Sequence, residues 1–235
     1  MSMEVICLRC RKSPLKSSIK IFHHIAFDIS TISCQDCDIS VDNSNSGVGI
    51  KLKENWKDVD QVLGSGGVRN GWMEVSTVED KIVHYVLSKV LYEQHEPPES
   101  RNFESAYDLP DSTDVVKLLW CNGVAVGFYT LKLKGTLNEE TNTKYEMDTL
   151  DTAYIRNSCR RKGYGTSILC DIVKSHPGED IGLSEPISNA MWKVLYKFLS
   201  KHGEYRLRFW AIEGSGCEGF RTLIWYSMKS RKKIV

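Results

Sequence analysis

Apolar positions change their period along this chain, and most of its elements can be read from those changes. Two apolar runs, 115–121 and 124–133, flank Asn122-Gly123. That dipeptide suits a two-residue turn with both residues at positive φ, so the stretch predicts a β-hairpin. Upstream, Val78, Ile82, Val86, Val90 and Leu91 fall on one helical face and Pro97-Pro98 closes the run, which predicts a helix over 78–94. Downstream, Thr152-Ala153-Tyr154-Ile155 reads as a strand. Tyr164, Ile168, Leu169, Ile172 and Val173 then recur at one-face spacing until Pro177-Gly178 stops them, predicting a second helix. A short strand at 181–183, a helix over 186–202 and two closing strands at 205–212 and 220–227 complete the pattern.

The first third is less patterned. Residues 23–32 contain a candidate strand, 36–49 are rich in Asp, Asn, Ser and Gly and read as a loop, and Gly64-Ser65-Gly66-Gly67 breaks the chain again. The order hairpin, strand, helix, strand, helix, strand, strand implies a mixed α/β layer in which one right-handed parallel crossover, 152–183, is enough. No internal repeat is visible. The expected organisation is an irregular, strand-containing region over 1–75, a core domain over 76–228 and a basic end, 229–235.

At 235 residues, 41% hydrophobic and 26% charged, the chain can bury a substantial core. It has no run of eighteen apolar residues and no charged start leading into an apolar segment, so neither a membrane span nor a secretory signal is expected. An intracellular place, nucleus or cytoplasm, follows. A net charge of +1 argues against a protein built around nucleic acid. Charge is nonetheless uneven. Residues 156–162 carry four cations and no acid, whereas 139–151 carry Glu139, Glu140, Glu146, Asp148 and Asp151 against Lys144. A basic loop beside an acidic strand suits an anionic cofactor and a cationic acceptor.

The most informative stretch is Arg160-Arg161-Lys162-Gly163-Tyr164-Gly165, set between the predicted strand and helix. A helix start leaves N–H groups without partners and carries partial positive charge, and glycine admits a bulky anion to the backbone, so a diphosphate fits there. Arg160 would pair with phosphate, and the N–H groups from Arg161 through Gly163, Tyr164 and Gly165 to Thr166 would form an anion nest. Arg161 and Lys162 would meet a ribose phosphate or solvent.

This Arg-x-x-Gly-x-Gly spacing after a strand and before a helix resembles the acyl-CoA loop of the GNAT superfamily of N-acetyltransferases. The hairpin resembles that superfamily's second and third strands, and Asn189-Ala190 with Leu195-Tyr196 resembles its tyrosine-bearing helix. The likeness covers roughly 76–226. A narrower resemblance, to the soluble lamin-associated protein family, also called family with sequence similarity 169, rests on several segments. They are Val75-Ser76-Thr77, His84-Tyr85-Val86-Leu87, Gly127-Phe128-Tyr129, Leu150-Asp151-Thr152 with Ile155-Arg156, and Ile181-Gly182-Leu183 followed by Pro186.

The resemblance implies a GNAT-like α/β (α+β) fold: a mixed, mostly antiparallel sheet with helices on both faces. It implies acetyl-CoA as co-substrate and transfer of an acetyl group to a primary amine. Tyr196 would protonate the leaving thiolate, and a carboxylate would deprotonate the acceptor. Glu146, Asp148, Asp151 and Glu185 are candidates for that base, with Asp151 best placed. The alternative is a catalytically inactive interaction module in the nucleus or at the lamina, with a nuclear protein as partner.

Cys7-Leu8-Arg9-Cys10 and Cys34-Gln35-Asp36-Cys37 have the form of a four-thiolate zinc site, but twenty-three residues separate the pairs and neither carries a knuckle glycine. Free thiols are the favoured reading, for these and for Cys159 beside the loop. Metal analysis of protein purified without added zinc is therefore expected to find none. About one equivalent, lost when Cys7 and Cys34 are replaced by serine, would overturn this.

Overall fold

The computed structural model describes the backbone at 19–24, 29–34, 48–52 and 55–231, and the side chains from Val59 to Lys229. Cys7, Cys10, Cys37 and the side chain of Cys34 lie outside the described residues. The backbone starts with four antiparallel strands, β1 (Ile19–His24), β2 (Ile29–Cys34), β3 (Val48–Leu52) and β4 (Asn55–Asp58), which pair in that order. Only one strand was expected in this region. A short helix, α1 (Val59–Leu63), follows, and Val59, Val62 and Leu63 are buried.

Next come β5 (Gly71–Glu74), α2 (Val78–Tyr85) and, continuous with α2, a π-helical segment over Val86–His95. Thr77 caps α2 by accepting from Asp80 N at 3.1 Å. The expected helix over 78–94 is thus present, but its second half is wound in the wider i→i+5 register, closed by Glu96 N donating to Leu91 O at 2.7 Å. Val83, Val86, Leu87, Val90 and Leu91 form the buried stripe, and Val78 is left 62% exposed.

The predicted hairpin is β6 (Val115–Cys121) and β7 (Val124–Lys132), turned at Asn122 (φ 50°) and Gly123 (φ 79°). A small flap, β8 (Leu137–Asn138) and β9 (Thr143–Lys144), leads to β10 (Asp148–Ile155). After β10 come α3 (Tyr164–Ser175), β11 (Ile181–Ser184), α4 (Asn189–Lys201), β12 (Phe209–Ile212), β13 (Arg221–Leu223) and α5 (Ile224–Arg231).

Seven strands form one sheet in the order β13-β12-β11-β10-β7-β6-β5. The sheet is antiparallel except at its centre, where β11 runs parallel to both β10 and β12. Two parallel pairs therefore replace the single one anticipated, because α4 acts as a second crossover. The second closing strand is also shorter than expected. It ends at Leu223, and Ile224 and Met228, buried four residues apart, belong to α5.

Helices cover both faces. On one, α1, α2 and the π segment pack against Leu118, Trp120, Phe128 and Tyr154; on the other, α3, α4 and α5 pack against Tyr129, Leu131, Leu150, Leu183 and Phe209. Phe128 and Tyr129 are neighbours on β7 yet serve opposite cores, as strand alternation requires. Among the described residues no helix is long and apolar enough to cross a membrane.

His84 sits in the first core, edge-on to Phe128 with ring centroids 4.5 Å apart, and its Nε2 has no hydrogen-bond partner. Burial, with Lys89 adding repulsion, lowers its pKa from 6.5 to about 4. The unfolded chain takes up this proton near 6.5 and the folded chain only near 4, so between those values stability falls as pH falls. Chemical unfolding from pH 7 down to 4 should show a loss of roughly 3 kcal/mol from this ring. His84→Leu, which cannot charge, should flatten that part of the profile; an unchanged slope would locate the dependence elsewhere.

Candidate functional site: a split cleft where β10 leaves β11

Pairing between β10 and β11 covers three positions, Asp148↔Ile181, Thr149↔Gly182 and Leu150↔Leu183, and then ends. The cause lies in β10. Its register against β7 shifts between Leu150 and Thr152, so Asp151 occupies a β-bulge. Leu150 and Ala153 consequently face the same α3/α4 core although they are three residues apart. The Thr152 N–H is taken by Thr130 Oγ1 at 3.1 Å. Past the bulge β10 continues to Ile155 while β11 ends at Ser184, and a cleft opens between them.

Two cavities occupy the cleft. The smaller, about 230 Å³, lies at the bulge and is lined by Asp151 and Glu185 together with Glu104 and Asp108 from the loop after the π segment. Those are its four charged groups, all acidic. Ser184 Oγ donates to Asp151 Oδ1 at 2.8 Å and fixes that carboxylate. The larger, about 570 Å³, lies at the start of α3 and is lined by Arg160, Arg161, Lys193 and Lys197, with Glu104 as the one acid. Four cations against one carboxylate leave it a formal charge of +3. The cavities share Glu104, Tyr107, Ala153, Ser188 and Met191. At this shared wall Tyr107 Oη donates to Ala153 O at 3.0 Å, and its ring stacks on Tyr92 with centroids 4.5 Å apart. Burial pushes the Tyr107 hydroxyl pKa well up, so it stays a protonated donor.

The loop from β10 to α3 is built largely by internal bonds. Arg156 N donates to Val126 O at 3.0 Å, Asn157 N to Glu96 Oε2 at 2.8 Å, and Arg160 Nε to Ile155 O at 2.9 Å. Arg161 (φ 63°) and Gly163 (φ 90°) are left-handed and turn the chain into α3, whose start has no side-chain cap. The first N–H groups of a helix have no intrahelical partner and carry partial positive charge, and here they belong to residues of a cavity wall.

The structure thus brings Arg160, Arg161, Gly163, Tyr164, Gly165 and Thr166 to one cavity and leaves Lys162 outside its lining. Asp151 and Glu185 line the adjoining one. Glu146 and Asp148 do not; Asp148 instead accepts from Lys134 N at 2.8 Å. Tyr196, 40% exposed, lines neither cavity, because the α4 face turned to the cleft carries Ala190, Lys193, Val194 and Lys197. Lys193, Lys197 and Tyr107 escaped the sequence reading. Two lysines four apart on an amphipathic helix look like any solvated face, although the i, i+4 spacing is the signal that they act together.

A mixed, mostly antiparallel sheet opened between two parallel strands, with a glycine-bearing loop and helix start at the opening and helices on both faces, is the architecture that the resemblance to the GNAT superfamily implies. The chain is a homologue of protein FAM169B of Mus musculus, 33% identical over 192 residues, which are 80% of this chain and 56% of that protein. Protein FAM169BP of Homo sapiens is 32% identical over 127 residues, 52% of this chain and 64% of that one. The chain therefore spans between about half and two thirds of these curated relatives.

No family model matches. Among solved structures, the putative N-acetyltransferase YhhK of E. coli bound to coenzyme A is 18% identical with a TM-score of 0.38, over 57% of this chain and 90% of that one. The ribosomal-protein-alanine N-acetyltransferase of Brucella melitensis is 17% identical with a TM-score of 0.28, over 38% and 65%. Likeness this loose decides nothing about the cleft, whose chemistry stands on its own geometry.

Gly165 has a role the motif did not suggest. A Cβ there would stand 2.8 Å from Val194 Cγ2, so its hydrogen lets α4 approach the first turn of α3. Without that clash, Gly165→Ala in a helix would gain up to about 1 kcal/mol; with it, a loss of about 1–3 kcal/mol is expected in thermal unfolding. In a Val194→Ala background the same change should become neutral or stabilising. A loss that persists there would separate Gly165 from this contact.

Proposed function

We propose that the protein binds an acyl-CoA, with acetyl-CoA the simplest co-substrate, in the cation-lined cavity and transfers the acyl group to an amine held in the acidic cavity. The observation that carries this is the opposition of charge across one shared wall: four cations on one side of Ala153 and three carboxylates, Asp108, Asp151 and Glu185, on the other, with Glu104 at the wall itself. A diphosphate suits Arg160, Arg161 and the first turn of α3. An ammonium suits Asp151, Glu185, Glu104 and Asp108. Asp151, held by Ser184 at the bulge, takes a proton from the ammonium. The free amine attacks the thioester carbon, the C–N bond forms as the C–S bond breaks, and the second proton that the nitrogen sheds passes through water to the departing thiolate. Tyr196, outside both linings, is given no step.

A second reading is an anion-binding module without turnover, serving as a nuclear or lamina-associated interaction domain. It is favoured by Tyr107, whose hydroxyl closes on Ala153 O between the cavities.

Two measurements test these readings. Acetyl-CoA at a hundredfold excess over its Kd should stabilise the parent by about 2.7 kcal/mol, and Gly163→Glu, which sets a carboxylate at the loop, should abolish the shift. A folded Gly163→Glu variant binding like the parent would remove the loop from the site. Release of free CoA in the presence of lysine peptides and polyamines should then fall about a hundredfold or more in Asp151→Asn and stay unchanged in Tyr196→Phe. A parent that binds CoA but turns over no acceptor favours the module.

A further inference from the structure

Lys193 and Lys197 lie one turn apart on α4 and both line the larger cavity. They are not placed there by the general amphipathicity of the helix alone. The opposite face of α4 buries Leu195, Phe198 and Leu199 in the core, and the contact between Gly165 and Val194 draws α4 against the first turn of α3. Val194 sits between the two lysines in sequence, so that contact sets both on the wall of the cavity that the start of α3 also lines. The helix, NAMWKVLYKFLSK, holds no acid to neutralise them. Among the ion pairs of the described residues, none involves Lys193, Lys197, Arg160 or Arg161. Like charges at i, i+4 repel, and here two such lysines face two arginines and a helix start with one carboxylate, Glu104, for relief. A cluster of this kind is stabilised by a polyanion and by little else.

Resting on the acyl-CoA reading, we infer that Lys193 and Lys197 are phosphate ligands that grip the coenzyme's diphosphate from α4 while the 160–166 loop holds it from α3. The division of labour follows from the bonds present. Arg160 Nε is committed to Ile155 O, leaving its Nη groups for a ligand, and Lys162 does not line the cavity. Half of the cationic grip therefore comes from a helix outside the loop. Lysine suits that role because a mobile point charge can follow either phosphate, whereas the arginines set the geometry.

The experiment is calorimetric titration of Lys193→Gln, Lys197→Gln and the double variant with coenzyme A, pantetheine and inorganic diphosphate. Both lysines are exposed, so the variants should keep the fold, checked by circular dichroism. Each single change should weaken coenzyme A and diphosphate about tenfold, the double change more, with the salt dependence of binding reduced. Pantetheine, which lacks the diphosphate, should be unaffected. A double variant within twofold of the parent for both phosphate probes overturns the clamp. A parent that binds diphosphate, loses it in the variants and ignores coenzyme A keeps the clamp and sinks the acyl-CoA reading. A parent that binds neither sinks both.

Discussion

Everything in the cleft depends on the short ladder between β10 and β11, which stops after Leu150 and Leu183. Strands that part company expose backbone donors and acceptors along both edges, and buried groups of that kind must find partners. Here side chains serve two of them and brace the gap. Ser184 reaches Asp151 at the mouth of the gap, and Tyr107 meets Ala153 O further along. Thr130 serves the bulged Thr152 N–H from the other side. Polar side-chain bonds thus stand along the opening where the sheet ladder has ended.

The π segment forms the far wall. Winding 86–95 in the wider register carries Tyr92 to the larger cavity, where it backs Tyr107, and delivers Glu96 to the base of the loop. Glu96 Oε2 accepts from both Tyr154 Oη and Asn157 N, each at 2.8 Å. One carboxylate therefore ties a helix end, the last turn of β10 and the first residue of the loop. Near that negative charge, and buried, the Tyr154 hydroxyl is pushed far above its ordinary range, which keeps it a donor. The loop thus presents its cations above an anchor to which its first residue is hydrogen-bonded.

Much of the architecture was legible in the sequence because its signals are local. Asn122-Gly123 adopted the positive φ values its turn demands, and the amphipathic run of α3 was visible by spacing alone. The failures have physical causes. Leu223 to Tyr226 is a short apolar run that suits a strand or a helix equally, and only the burial of Ile224 with Met228 decides it. The stripe through Val86, Leu87, Val90 and Leu91 fits either α or π winding. Of the site, the loop was visible, as was Asp151 near its bulge. Its other half was not, since Tyr107, Lys193 and Lys197 matter only once separate elements enclose a common space.

The loop itself shows why a motif assigns too much to its own residues. Gly163 is needed for a left-handed turn, Gly165 for the approach of α4, and one nitrogen of Arg160 for the end of β10. These are structural duties, yet they serve binding: a loop already fixed by Glu96, Ile155 and Val126 loses little further freedom when an anion arrives. What remains free for a ligand is the first turn of α3, the Nη groups of Arg160, Arg161, and two lysines from another helix. The glycines contribute less by making room for a diphosphate than by bringing those groups together around it.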